Sequence, residues 1–491
     1  MNAPVRQAVV IVHGMGEQRP QQTLHRFIGA ALAKRQDGKD YYYSEPDRVS
    51  DSFESRLYRA IREPTVGEPE VHAQTDFYEY HWAHLMQGNR LGDLGPIVRR
   101  MLFRPVWKVP LGFRIPWLVF WGLGAFLAWA FAFGPLHETP LGDHPVTTVI
   151  QAVLGTGIAS TALAYAVTKL LPGPLTVSFV DVVRYLDTSP RSYAVRRDIR
   201  KGMVDLLKGL HEVGRDAMPW RRYDRIVVVA HSLGAYIAYD AIAYLWSQCG
   251  DILGGQPAVA ENSAALDAVE RLATELPPNP TPDQITAYQA AQRALWSEMR
   301  AAGSPWLVTD FVSVGTPMYC ADLLYTKNRA AWNERIQLRE LPTCPPQPDL
   351  GEPAKDNNRR RIAYQSGNRE IVYHAAPFAA VRWTNLWFPP KWGVFGDWFG
   401  GPLAPLFGPG VRDLKVTGGT LRWAPAIAHT KYFSYPGDAR ADSSTTRLRA
   451  ALDLASTSWL RPPAPPAAPP AAKRAAPRVE RRKRPPAKPT G

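Results

Sequence analysis

Cysteine is scarce in this chain. Cys249, Cys320 and Cys344 stand far apart, and no two have C-x-x-C spacing. That argues against a disulfide framework and against a cysteine zinc site, and leaves three reduced structural thiols. No H-E-x-x-H and no G-x-x-x-x-G-K-[ST] occurs, so neither a zinc protease nor a P-loop nucleotide enzyme is indicated. A dinucleotide loop fails as well: after Gly14 and Gly16 the third glycine of G-x-G-x-x-G is due where Arg19 stands. No cofactor and no metal are expected. Internal repeats are lacking. The opening "MNAPVRQAVVIVHGMG" has no basic region followed by an apolar one, so a signal peptide is not expected and the start is placed in the cytoplasm.

Negative charge is also short. The formal net charge is +14, which could point to nucleic acid, but the excess is unevenly spread. From Arg461 onward there are nine Lys or Arg against one Glu, so the tail 461–491 holds more than half of it. Its Pro and Ala content cannot build a core, and it is expected to be disordered. Contact with anionic lipid or nucleic acid is one use for such a tail; a plain solvated tail is the other.

What is present reads as alternating strands and helices. Val5–Val12 is short, rich in β-branched residues and followed by glycines, which predicts a buried strand. A helical repeat follows in "QQTLHRFIGAALAKR", then an alternating strand in "TDFYEYHWA". "SYAVRRDIRKGMVDLLKGLHEV" has the period of an amphipathic helix. Next come a strand at 226–229, a helix at about 233–246, and strands in "WLVTDFVSVGTP" and "AVRWTNLWF". The expected fold is α/β: a mostly parallel central sheet with helices on both faces. The stretch 251–302 reads as a polar, largely helical excursion.

Two long uncharged runs interrupt this arrangement. Residues 115–136 and 146–168 are 22 and 23 residues long, enough as helices to span a bilayer core of about 30 Å. Arg99, Arg100, Arg104, Lys108 and Arg114 precede the first run and Lys169 follows the second, while the connecting loop holds Glu138 and Asp143 and no Lys or Arg. The positive-inside rule then predicts a two-span membrane protein with its main domain cytoplasmic, as in a bacterial inner membrane. The expected division is 1–112 and 172–460 for the main domain, 113–171 for an inserted transmembrane hairpin, and 461–491 for the tail.

The chemistry centres on "RIVVVAHSLGAYIAYD". A serine hydroxyl is a weak nucleophile until a base takes its proton and a third group orients that base. In a nucleophile elbow the serine sits on a sharp strand-to-helix turn, and residues two places on either side must be small. Gly234 meets that demand on one side and Ala230 nearly so on the other. Ser232 is therefore the candidate nucleophile.

With this elbow the chain resembles the α/β-hydrolase superfamily, in particular lipases and esterases with an A-H-S-L-G elbow. The resemblance spans most of the chain outside the hairpin and tail, and implies that an acid and then a histidine follow the serine. Only His374 and His429 follow Ser232. His429, in "AIAHTKYFSYP", stands where the family places its base; His374 precedes the strand that should carry the acid. The resemblance puts that acid in "PPKWGVFGDWFGGPL", where Asp397 is the only carboxylate, with Asp413 as the alternative. His13 and Gly14 match the family's H-G oxyanion loop. Backbone N–H groups of Leu233 and Met15 are then the oxyanion donors, with Gly14 and Gly16 letting the backbone turn. His13 and His231 are read as residues that orient loops. Trp383, Trp387, Trp392 and Trp398 surround the acid and could line an acyl pocket, lie at a membrane interface or pack the core.

The expectation is a membrane-anchored serine hydrolase cleaving carboxylic esters or thioesters, with an ester or acyl lipid as substrate. An inactive hydrolase-fold scaffold and an acyltransferase with the same triad remain open as alternatives. Oligomeric state is not predicted.

Overall fold

The structure is a computed structural model. It describes residues 5–14, 19–32, 42–46, 49, 56–61, 73–86, 103–109, scattered positions within 114–125 and 182–186, and then 190–212, 223–326, 328–348, 361–391, 396–418 and 428–454.

An eight-stranded sheet organises the chain. Its strands are β1 (Val5–Val12), β2 (Tyr42–Pro46), β3 (Arg56–Ile61), β4 (Ala73–Tyr80), β5 (Arg225–His231), β7 (Val308–Val314), β10 (Arg382–Trp387) and β11 (Arg412–Lys415). Their order is β11-β10-β7-β5-β1-β4-β3-β2. The six strands from β11 to β4 run parallel, and β3 and β2 extend the edge in antiparallel fashion. A small antiparallel sheet, ordered β6-β9-β8, is built from β6 (Ala258–Ala260), β8 (Ala363–Ser366) and β9 (Arg369–Val372).

The central strands are buried on both faces, which is why they read as near-continuous apolar runs. Alternate side chains feed two cores. Ala8, Val10 and Val12 of β1, with Ile226, Val228 and Ala230 of β5, face the larger one. Val9, Ile11, Val227 and Val229 face the smaller one. Helix α1 (Gln22–Ala31) covers the smaller core through Leu24, Phe27 and Ile28. The larger core is covered by α2 (Pro190–Glu212), α3 (Gly234–Ser247), α4 (Ala264–Glu275) and α5 (Pro282–Ala301). Leu448 and Leu452 of α6 (Ser444–Leu452) return the chain to the smaller core.

Local chemistry sets the helix starts. Ser263 caps α4 by accepting the N–H of Leu266, and Ser443 caps α6 by accepting that of Thr446. A reciprocal Thr281–Gln284 capping box, with Pro282 in the first turn, opens α5. The stretch 251–302 carries α4 and α5 and also the strand β6, and α5 packs inward. Tyr288, Leu295, Trp296 and Met299 sink into the main core.

The membrane placement requires correction. Among the described residues no helix is long and apolar enough to cross a membrane. Helix α2 has 23 residues but is studded with Arg, Lys, Asp and Glu, and α3 is apolar but has only 14, against the ~20 apolar residues a span needs. Of the run 115–136 only Trp117, Leu118, Trp121, Gly122 and Ala125 are described, and the run 146–168 lies outside the described residues. The expected two-span protein with a cytoplasmic main domain in a bacterial inner membrane does not stand. The hairpin it relied on is unsupported. The tail 461–491 also lies outside the described residues.

Candidate active site

From β1 the chain crosses to the edge strand β2 and works back inward through β3 and β4 to one flank of β1; it then crosses to β5 on the other flank and builds outward through β7, β10 and β11. Such a reversal leaves a crevice at the carboxyl ends of the two central strands. Gly14 follows β1 and Ser232 follows β5 at this point.

Ser232 has φ 56°, in the left-handed region that few residues other than glycine adopt. Two contacts hold it there. Its N–H donates to the Val314 carbonyl at the end of β7 over 2.9 Å, and its own carbonyl accepts the N–H of Ala235 at 3.2 Å. Gly234 is required by close approach: a Cβ there would stand 2.5 Å from the Val12 carbonyl oxygen and 2.6 Å from that of His13. Ala230 is fully buried within the larger core. A Cβ at Gly14 would stand 2.6 Å from His231 Nδ1 and 3.0 Å from the Ser232 Cβ, so the loop after β1 lies directly on Ser232.

The two side chains that line up with Ser232 come from the distant end of the chain. His429, on a short 3-10 turn (Ala428–Thr430), has its Nε2 2.8 Å from Ser232 Oγ. Its Nδ1 lies 3.0 and 3.1 Å from the two Asp397 oxygens. With Nδ1–H donating to the carboxylate, Nε2 is left bare to accept the serine proton. Asp397 takes two further donors, the Tyr432 hydroxyl at 2.7 Å and the Phe399 N–H at 2.8 Å. Burial alone would raise this carboxyl, but the charge and hydrogen bond of His429, with those of Tyr432 and Phe399, outweigh it and hold it below its ordinary value. Two glycines admit the Asp397 carboxylate: a Cβ at Gly400 would stand 2.6 Å from Asp397 Oδ2, and one at Gly315, where φ is +55°, would stand 3.0 Å from it. Ser232, His429 and Asp397 are all buried, so their hydrogen bonds are shielded from water.

The Leu233 N–H, at the start of α3, has no hydrogen-bond partner among the described residues. It stands beside Ser232 with the positive end of the helix dipole behind it. Met15 and Gly16, the expected second oxyanion donor and its flexible neighbour, lie outside the described residues. His13 is neutral and fixed. Its Nδ1–H donates to the Gly14 carbonyl at 2.7 Å and its Nε2 accepts the Trp82 N–H at 3.2 Å. Burial lowers it to about pKa 3 despite that bond to Gly14.

No family model matches the chain, and no curated protein and no solved structure matches it. The geometry therefore carries the argument.

The alternatives weighed from sequence fall elsewhere. Asp413 accepts from Asn385 Nδ2 at 2.7 Å and from the N–H groups of Leu403 and Ala404 at 2.9 Å each. It ties down the end of the loop that carries Asp397. His374 is exposed beyond β9. Trp383 is a core residue whose indole N–H donates to Ser313 Oγ at 3.0 Å, and Trp387 is also buried. Trp398 is half-buried, and Trp392 lies outside the described residues. Tyr432 and Phe399 were not legible beforehand. The one signal was that Tyr432 follows His429 closely enough for one turn to bring both side chains to the acid. Among the described residues no group of three or more His, Cys, Asp or Glu is arranged to hold a metal ion.

Proposed function

We propose that the protein is a serine hydrolase of the α/β-hydrolase type, cleaving carboxylic ester or thioester bonds through an acyl-enzyme. One observation carries the reading: an unbroken hydrogen-bond line, Ser232 Oγ to His429 to Asp397, assembled from three separated parts of the sequence at the carboxyl edge of a parallel sheet. A polar line of this kind, buried and water-shielded, is costly for a fold to maintain without a use for it.

Each group has one task. His429 Nε2 takes the Ser232 proton as Oγ attacks the carbonyl carbon. The Leu233 N–H donates to the developing oxyanion, and being fixed beforehand it costs no reorganisation. Asp397 holds the imidazole in the Nδ1–H tautomer and stabilises it once charged. His429 then returns the proton to the leaving alcohol or thiol, and water repeats the sequence on the acyl-enzyme.

The test is hydrolysis of short-chain p-nitrophenyl esters and acyl thioesters. The wild-type chain is expected to turn over at least one of them, and Ser232→Ala to lose at least about 10^3-fold in kcat. Equal rates for the two proteins would remove the reading.

A further inference from the structure

A second histidine, His231, stands next to the nucleophile and takes no part in the proton line. It ends β5, in register with Val314 of β7. Its Nε2 lies 2.9 Å from the main-chain carbonyl oxygen of His429. A carbonyl can only accept, so Nε2 carries the proton and Nδ1 is bare. The bare Nδ1 edge is the one against which Gly14 closes. The ring centroid is 4.8 Å from that of His429, 5.9 Å from Tyr432 and 6.0 Å from Phe433. One imidazole thus touches the loop after β1, the elbow and the turn that carries the base.

We propose that His231 is a positioning residue for this reaction: its Nε2–H fastens the main chain of His429 while its opposite edge sets the approach of the Gly14 loop to Ser232. The proposal rests on the hydrolase reading above. Two further features fit it. The His429 turn is a single short run of 3-10 backbone, so its side-chain placement depends on tertiary bonds. Burial, with His429 beside it, also depresses His231 to about pKa 3, so the imidazole stays neutral and keeps its single-proton tautomer across the working range of an esterase. A permanently neutral donor fixes the base loop without placing a competing positive charge beside His429.

The two histidine-shaped amides separate donor position from mere bulk. Glutamine puts its amide N–H where Nε2 stands; asparagine puts it where Nδ1 stands, facing Gly14. We expect His231→Gln to keep ester turnover within a few-fold of wild type. His231→Asn should lose about 10- to 100-fold in kcat with KM little changed, because a base displaced by a fraction of an ångström still allows binding. A second readout needs no turnover: the low-field proton resonance of His429 Nδ1–H shared with Asp397. It should be sharp in wild type and His231→Gln, and broadened or lost in His231→Asn. A sharp resonance with unchanged kcat in His231→Asn overturns the proposal. If circular dichroism shows that His231→Asn does not fold, His231→Gln decides alone: retained resonance supports the proposal and loss overturns it. Should wild type hydrolyse no ester while the resonances behave as stated, the hydrolase reading fails and the fastening role stands.

Discussion

At the scale of single residues, the two carboxylates near the site make opposite predictions. On the proposed reading Asp397 orients the base, so Asp397→Asn should lower kcat on the order of 10^4-fold, by leaving His429 in the wrong tautomer, with little change in melting temperature. Asp413 serves structure, accepting from Asn385, Leu403 and Ala404. Removing it leaves those donors unpaired in the interior, a cost of about 1–3 kcal/mol. Asp413→Ala should therefore lower the melting temperature and leave kcat of the folded fraction far closer to wild type. Steady-state kinetics with a thermal melt checks both, and a reversed result would exchange the two roles. The place of His429 beside Ser232 was expected because the resemblance puts a histidine after the serine and only His374 competed with it there. Asp397 was legible as the only carboxylate in its loop. Tyr432 was not, because a tyrosine in a loop has no spacing that marks it out, and its role depends on a fold-back that only tertiary packing sets.

The element scale concerns how strands deliver these residues. Gly234 permits α3 to start against the carbonyls of Val12 and His13. Gly234→Ala forces backbone on backbone, with no side chain able to yield. It should destabilise by about 1–3 kcal/mol, read as a shifted denaturation midpoint with unchanged slope. Helix α1 is seated by Glu79 of β4, which accepts the N–H groups of Gln21 and Leu24. Burial raises this carboxyl from 4.5 to about 7, and the two N–H bonds only partly offset it. The folded chain then binds the proton more tightly than the unfolded one. The stability this gives is full below about pH 4.5 and is lost as pH rises to about 7 and beyond. Replacing Glu79 by Gln should flatten the change in melting temperature between pH 5 and pH 7; an unaltered change would refute this. Long apolar elements such as β1 were readable to the residue. The antiparallel β2 and β3, and the small β6-β9-β8 sheet, were not, since they are short and partly polar and owe their form to pairing partners.

Across the whole molecule, the last helix closes the fold over a buried arginine. Arg225 at the start of β5 donates to the carbonyls of Leu452 and Asp453 at the end of α6, and pairs with Asp310 at 3.2 Å. Arg225→Met strands the Leu452 carbonyl and weakens the compensation of Asp310. It should cost about 3–5 kcal/mol and release α6 first, seen as faster amide exchange there than in β5. The alternation of strands and helices revealed the α/β sheet in advance, because parallel strands buried on both faces leave a strong apolar signal. Apolar length proved a poorer guide: 115–136 and 146–168 matched a bilayer in length, yet no described helix is fit to cross one. The central claim is that Ser232 is a nucleophile activated by His429. A fluorophosphonate probe followed by peptide mass spectrometry tests it most directly. The account predicts one adduct, on Ser232, absent in Ser232→Ala and at least about 10^3-fold slower to form in His429→Ala. A folded wild-type protein that forms no adduct, or forms it on another residue, would contradict it.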